Sequence, residues 1–187
     1  PSVITDNMVL QQNTNANLWG KAKNNANVKV ITSWDNNTYN TVSDATGKWK
    51  LQISTPEAGG PYRITISDKD GNLTVNNVMV GEVWLCSGQS NMEMPVKGFK
   101  GQYVQGSLET ISEASASDNI RMLNLKINAS QKPLDDCIST GWMESTPENV
   151  SNFSATAYYF GKAINEKLNI PVGLICSCWG GSKIESW

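Results

Sequence analysis

Histidine is absent from this chain of 187 residues, and its absence limits what a serine in the chain can do. A serine hydroxyl is almost fully protonated near neutral pH. It attacks a carbonyl usefully only when a neighbouring group, most often an imidazole, accepts its proton. A serine nucleophile in this chain would therefore lack its usual base. We expect these residues to form only part of a functional unit.

The chain also has no long hydrophobic run and no large excess of positive or negative charge. No apolar stretch approaches the roughly 18 to 20 residues that cross a bilayer. The 15 basic and 17 acidic residues leave a formal charge of −2, which provides no field for steering the chain to nucleic acid or to an anionic membrane. We expect neither nucleic acid nor membrane as a partner. The start at Pro1 indicates processing or trimming, and the stretch Gly180–Trp187 is typical of a domain cut in the middle.

Cysteine is present four times, without the spacing of a metal site. Cys86, Cys176 and Cys178 lie in apolar runs, where a free cysteine behaves as a small hydrophobic side chain. Structural zinc sites use paired short spacings, and this pattern without histidine matches them poorly. We therefore predict packing roles for these three cysteines and no metal or other cofactor.

Residues 1–80 are predicted to form a small antiparallel β-sandwich. Short β-prone runs recur about every ten residues, and asparagine, aspartate, glycine and proline punctuate them. Asp68–Gly71 is a plausible hairpin turn, and no stretch in this part has a helical pattern. The predicted strands are Ala16–Trp19, Val28–Trp34, Thr38–Val42, Trp49–Ile53, Tyr62–Ser67 and Leu73–Val80.

Residues 81–187 have the pattern of an α/β domain. Val83–Cys86 is short and continuously apolar, as a buried parallel strand would be. Ser154–Leu168 is the clearest helix, with Ser154 as a possible N-cap, and the apolar strand Pro171–Cys178 follows at once. A helix followed by a strand builds a parallel sheet, so the strands near residues 83 and 172 are expected to be neighbours. The predicted buried face of the helix comprises Ala157, Phe160, Ala163, Ile164 and Leu168.

The stretch between these two strands gives weaker signals. Ile120–Ile127 is a further strand candidate, whereas residues 128–152, which include Trp142, have the composition of a loop.

The run Gly81–Pro95 resembles the nucleophile block of the sialate O-acetylesterase family, within the SGNH hydrolases. In that block Gly88, Gln89 and Asn91 surround Ser90. The resemblance implies an SGNH-type parallel sheet with flanking helices, of which this chain holds the N-terminal part. Further stretches similar to the family are Asp6–Gln11, Ser154–Phe160, Pro171–Ile175 and Trp179–Trp187.

The resemblance also implies the chemistry. Ser90 would attack the carbonyl of an acetyl ester on sialic acid or another glycan, and water would hydrolyse the acetyl-enzyme. The charge that develops on the carbonyl oxygen would be stabilised by backbone N–H groups. The N–H groups of Ser90 and Gly181 are the candidates for this oxyanion hole, and Gly180 is the alternative to Gly181.

Two family features do not occur in these residues. A later block supplies another oxyanion-hole side chain, and a later Asp-X-X-His motif supplies the general base. We expect both on a missing C-terminal segment or on a second chain. The family's usual export implies a secreted, periplasmic or lysosomal setting.

Other interpretations of the same residues stay open. Ser90 alone could be an ordinary turn serine, and the carboxylates of Glu82, Glu93 and Glu185 have solvated or structural roles by default. A second hypothesis for the whole chain is a non-catalytic carbohydrate-binding or scaffold fragment, which the missing histidine favours. Four tryptophans could stack on sugar faces, although core packing is the commoner role for them: Trp84, Trp142, Trp179 and Trp187.

Overall fold

The computed structural model describes residues 1–183 and 185 of the chain. The strands are β1 (Val9–Gln11), β2 (Asn15–Lys21), β3 (Asn27–Thr32), β4 (Thr38–Val42), β5 (Lys48–Ser54), β6 (Gly59–Asp68), β7 (Gly71–Gly88), β8 (Ile120–Asn124), β9 (Met143–Glu144) and β10 (Val172–Cys178). The helices are α1 (Ser90–Glu93), α2 (Ser107–Glu113), α3 (Pro147–Asn152) and α4 (Ala155–Leu168), with a short 3-10 helix at Ala116–Asp118.

A mixed sheet in the order β4-β3-β6-β7-β10-β8-β9 organises the molecule. Its first half, from β4 to β7, is antiparallel, whereas β10 lies parallel to both β7 and β8. Strand β7 is 18 residues long and belongs to both halves, because it pairs with β6 along its first part and with β10 along its last part. Strands β2 and β5 form a separate antiparallel pair. The chain therefore has the mixed α/β architecture expected of its second part.

The strand predictions for residues 1–80 are confirmed. Each predicted run falls within or largely overlaps an observed strand, and within the described residues no helix precedes Ser90. In β5, Trp49 and Ile53 are buried while Lys48 and Lys50 are exposed, so apolar and polar side chains alternate between the two faces. The predicted hairpin is also confirmed, because Asp68 pairs with Gly71 at the turn between β6 and β7.

Two hydrophobic clusters form the core. The first lies mainly within residues 8–79 and includes Leu18, Val30 and Ile64, all fully buried. The second lies within residues 86–176, where α4 packs against the parallel strands around Phe153 and Leu174. The first cluster also takes in Leu123 and Trp142 from the second part of the chain, and strand β7 contributes residues to both clusters, so the two parts share buried side chains.

Helix α4 is confirmed, but its predicted buried face is only partly correct, since Ala157 and Ile164 lie against the second cluster and the other three residues are exposed. Ala157 is buried as expected, whereas Phe160 is 40% exposed and Leu168 is 52% exposed. The helix instead buries Tyr158 and Gly161, and a Cβ on Gly161 would lie only 2.6 Å from Leu174 Cδ1. Small residues allow this close approach to β10, and a pattern that weights large apolar side chains misses it.

The interpretation of residues 128–152 as one loop is also wrong. They contain the short strand β9, paired with β8, and the helix α3. Helix α3 begins after Thr146, whose hydroxyl accepts a hydrogen bond from the Asn149 N–H, and Pro147 occupies the first turn. A threonine N-cap followed by proline is a common signal for the start of a helix, and it can be seen in the sequence. No helix in the described part of the chain has both the length and the hydropathy needed to cross a membrane.

Candidate functional site

Ser90 lies at the turn where β7 ends and α1 begins. The turn is closed by the Gln89 carbonyl, which accepts hydrogen bonds from the N–H groups of Met92 and Glu93, each at 2.9 Å. The Ser90 residue is exposed at the carboxyl end of β7, next to β10. The strand-to-helix turn therefore presents the serine at the carboxyl end of the parallel strands β7 and β10.

Helix α1 is fixed to the start of α4. The Ala155 N–H donates to the Met94 carbonyl at 2.8 Å, and the Thr156 hydroxyl donates to the Asn91 carbonyl at 2.9 Å. Ser154 caps α4 by accepting from the Ala157 N–H at 3.2 Å, which confirms its predicted role as N-cap. Two stretches of the sequence that resemble the same family are thus in direct contact around Ser90.

The stretch near the N-terminus, Asp6–Gln11, supports strand β7. The Asp6 carboxylate accepts a hydrogen bond from the Asn76 N–H at 2.7 Å, and strand β1 pairs in parallel with residues 79–81 of β7. The side chain of Gln11 accepts from the Val83 N–H at 3.0 Å. The stretch Asp6–Gln11 therefore holds the strand that leads to Ser90.

The turn after β10 approaches Ser90 from the neighbouring strand. Cys178 is in register with Gly88, and the Trp179 N–H donates to the Gly88 carbonyl at 3.0 Å. Residues 179–182 then form a β-turn closed by a 3.2 Å bond from the N–H of residue 182 to the carbonyl of residue 179. Gly181 occupies the third position with φ +77°, which favours glycine. A Cβ placed on Gly180 would lie 3.6 Å from Ser90 Oγ, so the turn borders the serine hydroxyl.

The two glycines of this turn differ in what their N–H groups contact. The Gly180 N–H donates to Glu93 Oε2 at 2.8 Å. Within residues 1–183 and 185, the N–H groups of Gly181 and Ser90 donate no hydrogen bond. The contact of Glu93 was not foreseen, because the sequence indicated only a solvated or structural carboxylate. It leaves Gly181 as the freer donor of the two glycines.

The Ser90 hydroxyl makes no hydrogen bond to any described residue. No histidine exists in the chain to accept its proton. Among the described residues, no three side chains of histidine, cysteine, aspartate or glutamate come together in a way that could hold a metal ion. Within the described chain, the serine therefore lacks an activating base.

The cysteines beside this site are free thiols. Cys86 and Cys176 are buried in the second cluster and the half-buried Cys178 packs against it, which confirms the predicted packing role of all three. The Cys176 thiol donates to Cys178 Sγ at 3.5 Å, and this bond lowers the pKa of Cys178 while it raises that of Cys176. Burial raises the pKa of Cys86. The most readily ionised of these three thiols is therefore that of Cys178.

The tryptophans singled out in the sequence have different surroundings. Trp142 is buried in the first cluster and donates from Nε1 to the Val3 carbonyl at 2.9 Å, so it is a core residue. Trp84 is 42% exposed and packs edge-on against Phe160, with ring centroids 5.0 Å apart. Trp179 is also 42% exposed. Trp187 lies outside the described residues.

Trp179 lines a cleft of about 1000 Å³ together with Trp19, a residue that the sequence did not single out. Trp19 is 36% exposed, and its neighbour Leu18 is fully buried. This alternation in β2 was the available signal that the Trp19 side chain faces outward. The cleft also has polar walls, including Lys126, Asn128 and Ser177. Aromatic faces with a few polar groups are typical of ligand sites.

Comparisons with known proteins show that this chain is similar to carbohydrate esterases. Residues 80–187 match the family model described as "Carbohydrate esterase, sialic acid-specific acetylesterase". The whole chain is 32% identical to sialate O-acetylesterase of Mus musculus and 30% identical to that of Homo sapiens. It superposes with a TM-score of 0.92 and 32% identity on the crystal structure of a novel carbohydrate acetylesterase from Xanthomonas citri.

The chain is shorter than these proteins. It spans 36% of the mouse protein, 38% of the human protein and 41% of the Xanthomonas chain, while each match covers all of it. The family model covers more than half of the chain, including Ser90 and the turn after β10. This chain therefore belongs to the carbohydrate esterase family of sialic acid-specific acetylesterases.

Proposed function

We propose that this chain supplies the nucleophile and two oxyanion-hole amides of a serine-type carbohydrate O-acetylesterase. The observation that supports it best is the meeting of Ser90 with the Gly180–Gly181 turn, where a Cβ on Gly180 would lie 3.6 Å from Ser90 Oγ. Two adjacent parallel strands end at this point, so both segments have rigid support. The proposed substrate is an acetyl ester of sialic acid or of another glycan.

In the proposed reaction, Ser90 Oγ attacks the acetyl carbonyl as its proton passes to a base. The negative charge that collects on the carbonyl oxygen is stabilised by the N–H groups of Ser90 and Gly181, which donate to no other described residue. The sugar hydroxyl leaves with a proton, and water then hydrolyses the acetyl-enzyme to acetate. Each donor of this kind is worth about 10²- to 10³-fold in rate.

We propose that the base comes from a polypeptide segment outside these residues, on a longer form of the protein or on a second chain. Two observations support this: the chain has no histidine, and the Ser90 hydroxyl has no partner among the described residues. The chain also spans well under half of its mouse relative. A secreted, periplasmic or lysosomal location is proposed on the family resemblance alone.

We propose a division into a β-sandwich domain over residues 1–80 and the first part of an SGNH-type esterase domain over residues 81–187. In the first part, Leu18 and Ile53 from the pair β2–β5 are buried in the same cluster as Val30 and Ile64 from the main sheet. Two sheets that face each other across one core are the basis of a sandwich. The division is supported by the first cluster, which comes mainly from residues 8–79, and by the second, which comes from residues 86–176, although Leu123 and Trp142 join the first cluster and β7 continues across residue 80.

The cleft between Trp19 and Trp179 is the proposed path of the glycan. Trp179 follows directly on β10, one residue after the position in register with Gly88, so this end of the cleft borders the turn at residues 179–182. Pyranose rings present apolar C–H faces that stack on exposed indole rings. We expect Trp19→Ala to weaken the binding of an oligosaccharide, measured by calorimetry. Trp84→Ala is the control, because Trp84 is exposed to a similar extent as Trp19 but is not part of the cleft wall.

A chimera tests the esterase proposal. This chain would replace the matching segment of the Xanthomonas citri carbohydrate acetylesterase, whose remaining part would supply the groups that this chain lacks. We expect acetate release from an acetylated glycan, and we expect Ser90→Ala to abolish it. Circular dichroism would verify that both chimeras fold.

The alternative is a non-catalytic carbohydrate-binding or scaffold fragment, and the same experiment separates the two. A folded chimera without acetate release, combined with glycan binding that depends on Trp19, would favour the binding fragment. Labelling of Ser90 by a fluorophosphonate, detected by intact mass spectrometry, would provide independent support for the nucleophile.

A further inference from the structure

We propose that Glu93 is a positioning residue for the proposed esterase reaction, an inference that rests on the function proposed above. Glu93 lies three residues after Ser90, on the one-turn helix α1. Its carboxylate accepts a hydrogen bond from the turn at residues 179–182. We infer that this contact holds the Gly181 N–H in the place where it can meet the carbonyl oxygen of a bound ester.

The contact is a hydrogen bond between distant parts of the chain. The Gly180 N–H donates to Glu93 Oε2 at 2.8 Å, across 87 residues of sequence, in a partly buried place. A bond from an N–H to a carboxylate is stronger than one between neutral groups. It joins the segment that bears Ser90 to the segment that bears Gly181, so it fixes the two proposed oxyanion-hole amides relative to each other.

Gly180 is the residue that makes this contact sterically possible. A Cβ at Gly180 would lie 2.3 Å from Glu93 Oε2, well inside the distance that real Cβ atoms tolerate. The carboxylate therefore occupies the space that any other residue would need for its side chain. This predicts that Gly180→Ala displaces Glu93 and has the same functional effect as removing the carboxylate.

Other hydrogen bonds also hold the turn at residues 179–182, and they limit the contribution of Glu93 to the middle of the turn. The N–H of Trp179 donates to the Gly88 carbonyl at 3.0 Å, and Gln89 Nε2 donates to the carbonyl of Ser182 at 3.3 Å. These bonds hold the two ends of the turn. Glu93 holds its middle, directly beside Gly181. The loss of Glu93 should thus shift the Gly181 amide without unfolding the turn.

Glu93 acts through the amide and not as the base for Ser90. Its Oε2 atom is already committed to the Gly180 N–H, whereas Ser90 Oγ makes no hydrogen bond to a described residue. A general base has to lie within hydrogen-bond reach of the proton that it accepts. The structure therefore assigns Glu93 an indirect role, which neutral glutamine can partly fulfil because its amide oxygen also accepts a hydrogen bond.

The experiment uses Glu93→Ala and Glu93→Gln, with Glu109→Ala as the control at an exposed glutamate on α2. The first measurement is amide hydrogen exchange at Gly180 in the 187-residue chain. We expect exchange to be about ten-fold faster or more in Glu93→Ala, because the loss of a hydrogen bond to a charged group changes an opening equilibrium by about that factor. We expect Glu93→Gln to restore most of the protection and Glu109→Ala to leave it unchanged.

The second measurement is acetate release by the chimera. We expect Glu93→Ala to lower kcat by about ten-fold or more with little change in KM, because the displaced amide would serve only the transition state. Glu93→Gln should recover most of kcat. Equal activity of Glu93→Ala and the native chimera would overturn the inference, and so would a glutamine variant as impaired as the alanine variant.

The two proposals fail in different ways. An inactive native chimera would count against the esterase function. Unchanged exchange at Gly180 in Glu93→Ala would count against the positioning role, whatever the activity of the chimera.

Discussion

Gly81→Ala tests how tightly the strand that leads to Ser90 packs against its neighbour. Gly81 is buried in β7, where a Cβ would lie 2.0 Å from the Pro171 carbonyl oxygen. An ordinary contact begins at 3.4 Å, so the carbonyl would have to withdraw by about 1.4 Å. The obstacle is backbone, and it cannot rotate away as the end of a side chain can. Every residue larger than glycine is therefore expected to strain this crossing.

The size of the effect follows from the bonds at this position. The Pro171 carbonyl accepts a hydrogen bond from the Glu82 N–H at 3.0 Å, and the Gly81 carbonyl accepts from the Gln12 N–H at 2.9 Å. Overpacking costs about 1 to 3 kcal/mol. A weakened backbone hydrogen bond adds about 1 kcal/mol. We expect the free energy of unfolding to fall by about 2 to 4 kcal/mol, and Tm to fall by about 10 °C for a protein of this size.

Thermal and urea denaturation, followed by circular dichroism, would measure this change. Gly71→Ala is the matched control, because it lies in the same strand and a Cβ there meets nothing within 4 Å. We expect that control to stay within about 0.5 kcal/mol of the native protein. A Gly81→Ala protein whose Tm lies within about 2 °C of the Gly71→Ala control would refute the packing argument.

Three further predictions concern the core and the thiols. Leu174→Ala should lower the free energy of unfolding by about 2 to 5 kcal/mol in urea denaturation, because Leu174 is fully buried beneath α4. Glu144→Gln should lower it by about 2 kcal/mol, between the costs for exposed and for buried ion pairs, since the buried Arg121 guanidinium loses its 3.3 Å ion pair with a half-buried carboxylate. Iodoacetamide at pH 8 should modify Cys178 before Cys86, as peptide mass spectrometry would show, because the pKa of Cys178 is lowered and that of Cys86 is raised.

Much of the local structure follows from neighbouring residues alone. The alternation of Trp49 and Ile53 with lysines defines β5, and Asp68–Gly71 has the composition of the hairpin turn that it forms. Ser154 predicts the start of α4, because a hydroxyl at that position accepts a hydrogen bond from a free N–H group of the first turn. The predicted pairing of the strands that begin near residues 83 and 172 is confirmed as β7 beside β10.

Packing between distant segments decided the features that the sequence did not predict. The buried face of α4 depends on how closely Gly161 approaches Leu174, and the surface that a helix buries is defined only by the element against which it packs. The same holds for β7, which continues past residue 80 because β6 pairs with its first part and β10 with its last part.

The sequence by itself determined the family, the strand that leads to Ser90 and the absence of a histidine base, because each of these depends on residue identity and local order. Only the tertiary structure placed the Glu93 carboxylate on the Gly180 N–H, 87 residues away, and brought Trp19 and Trp179 to one cleft. Contacts of this kind have no sequence period, because they arise where separate elements meet in space.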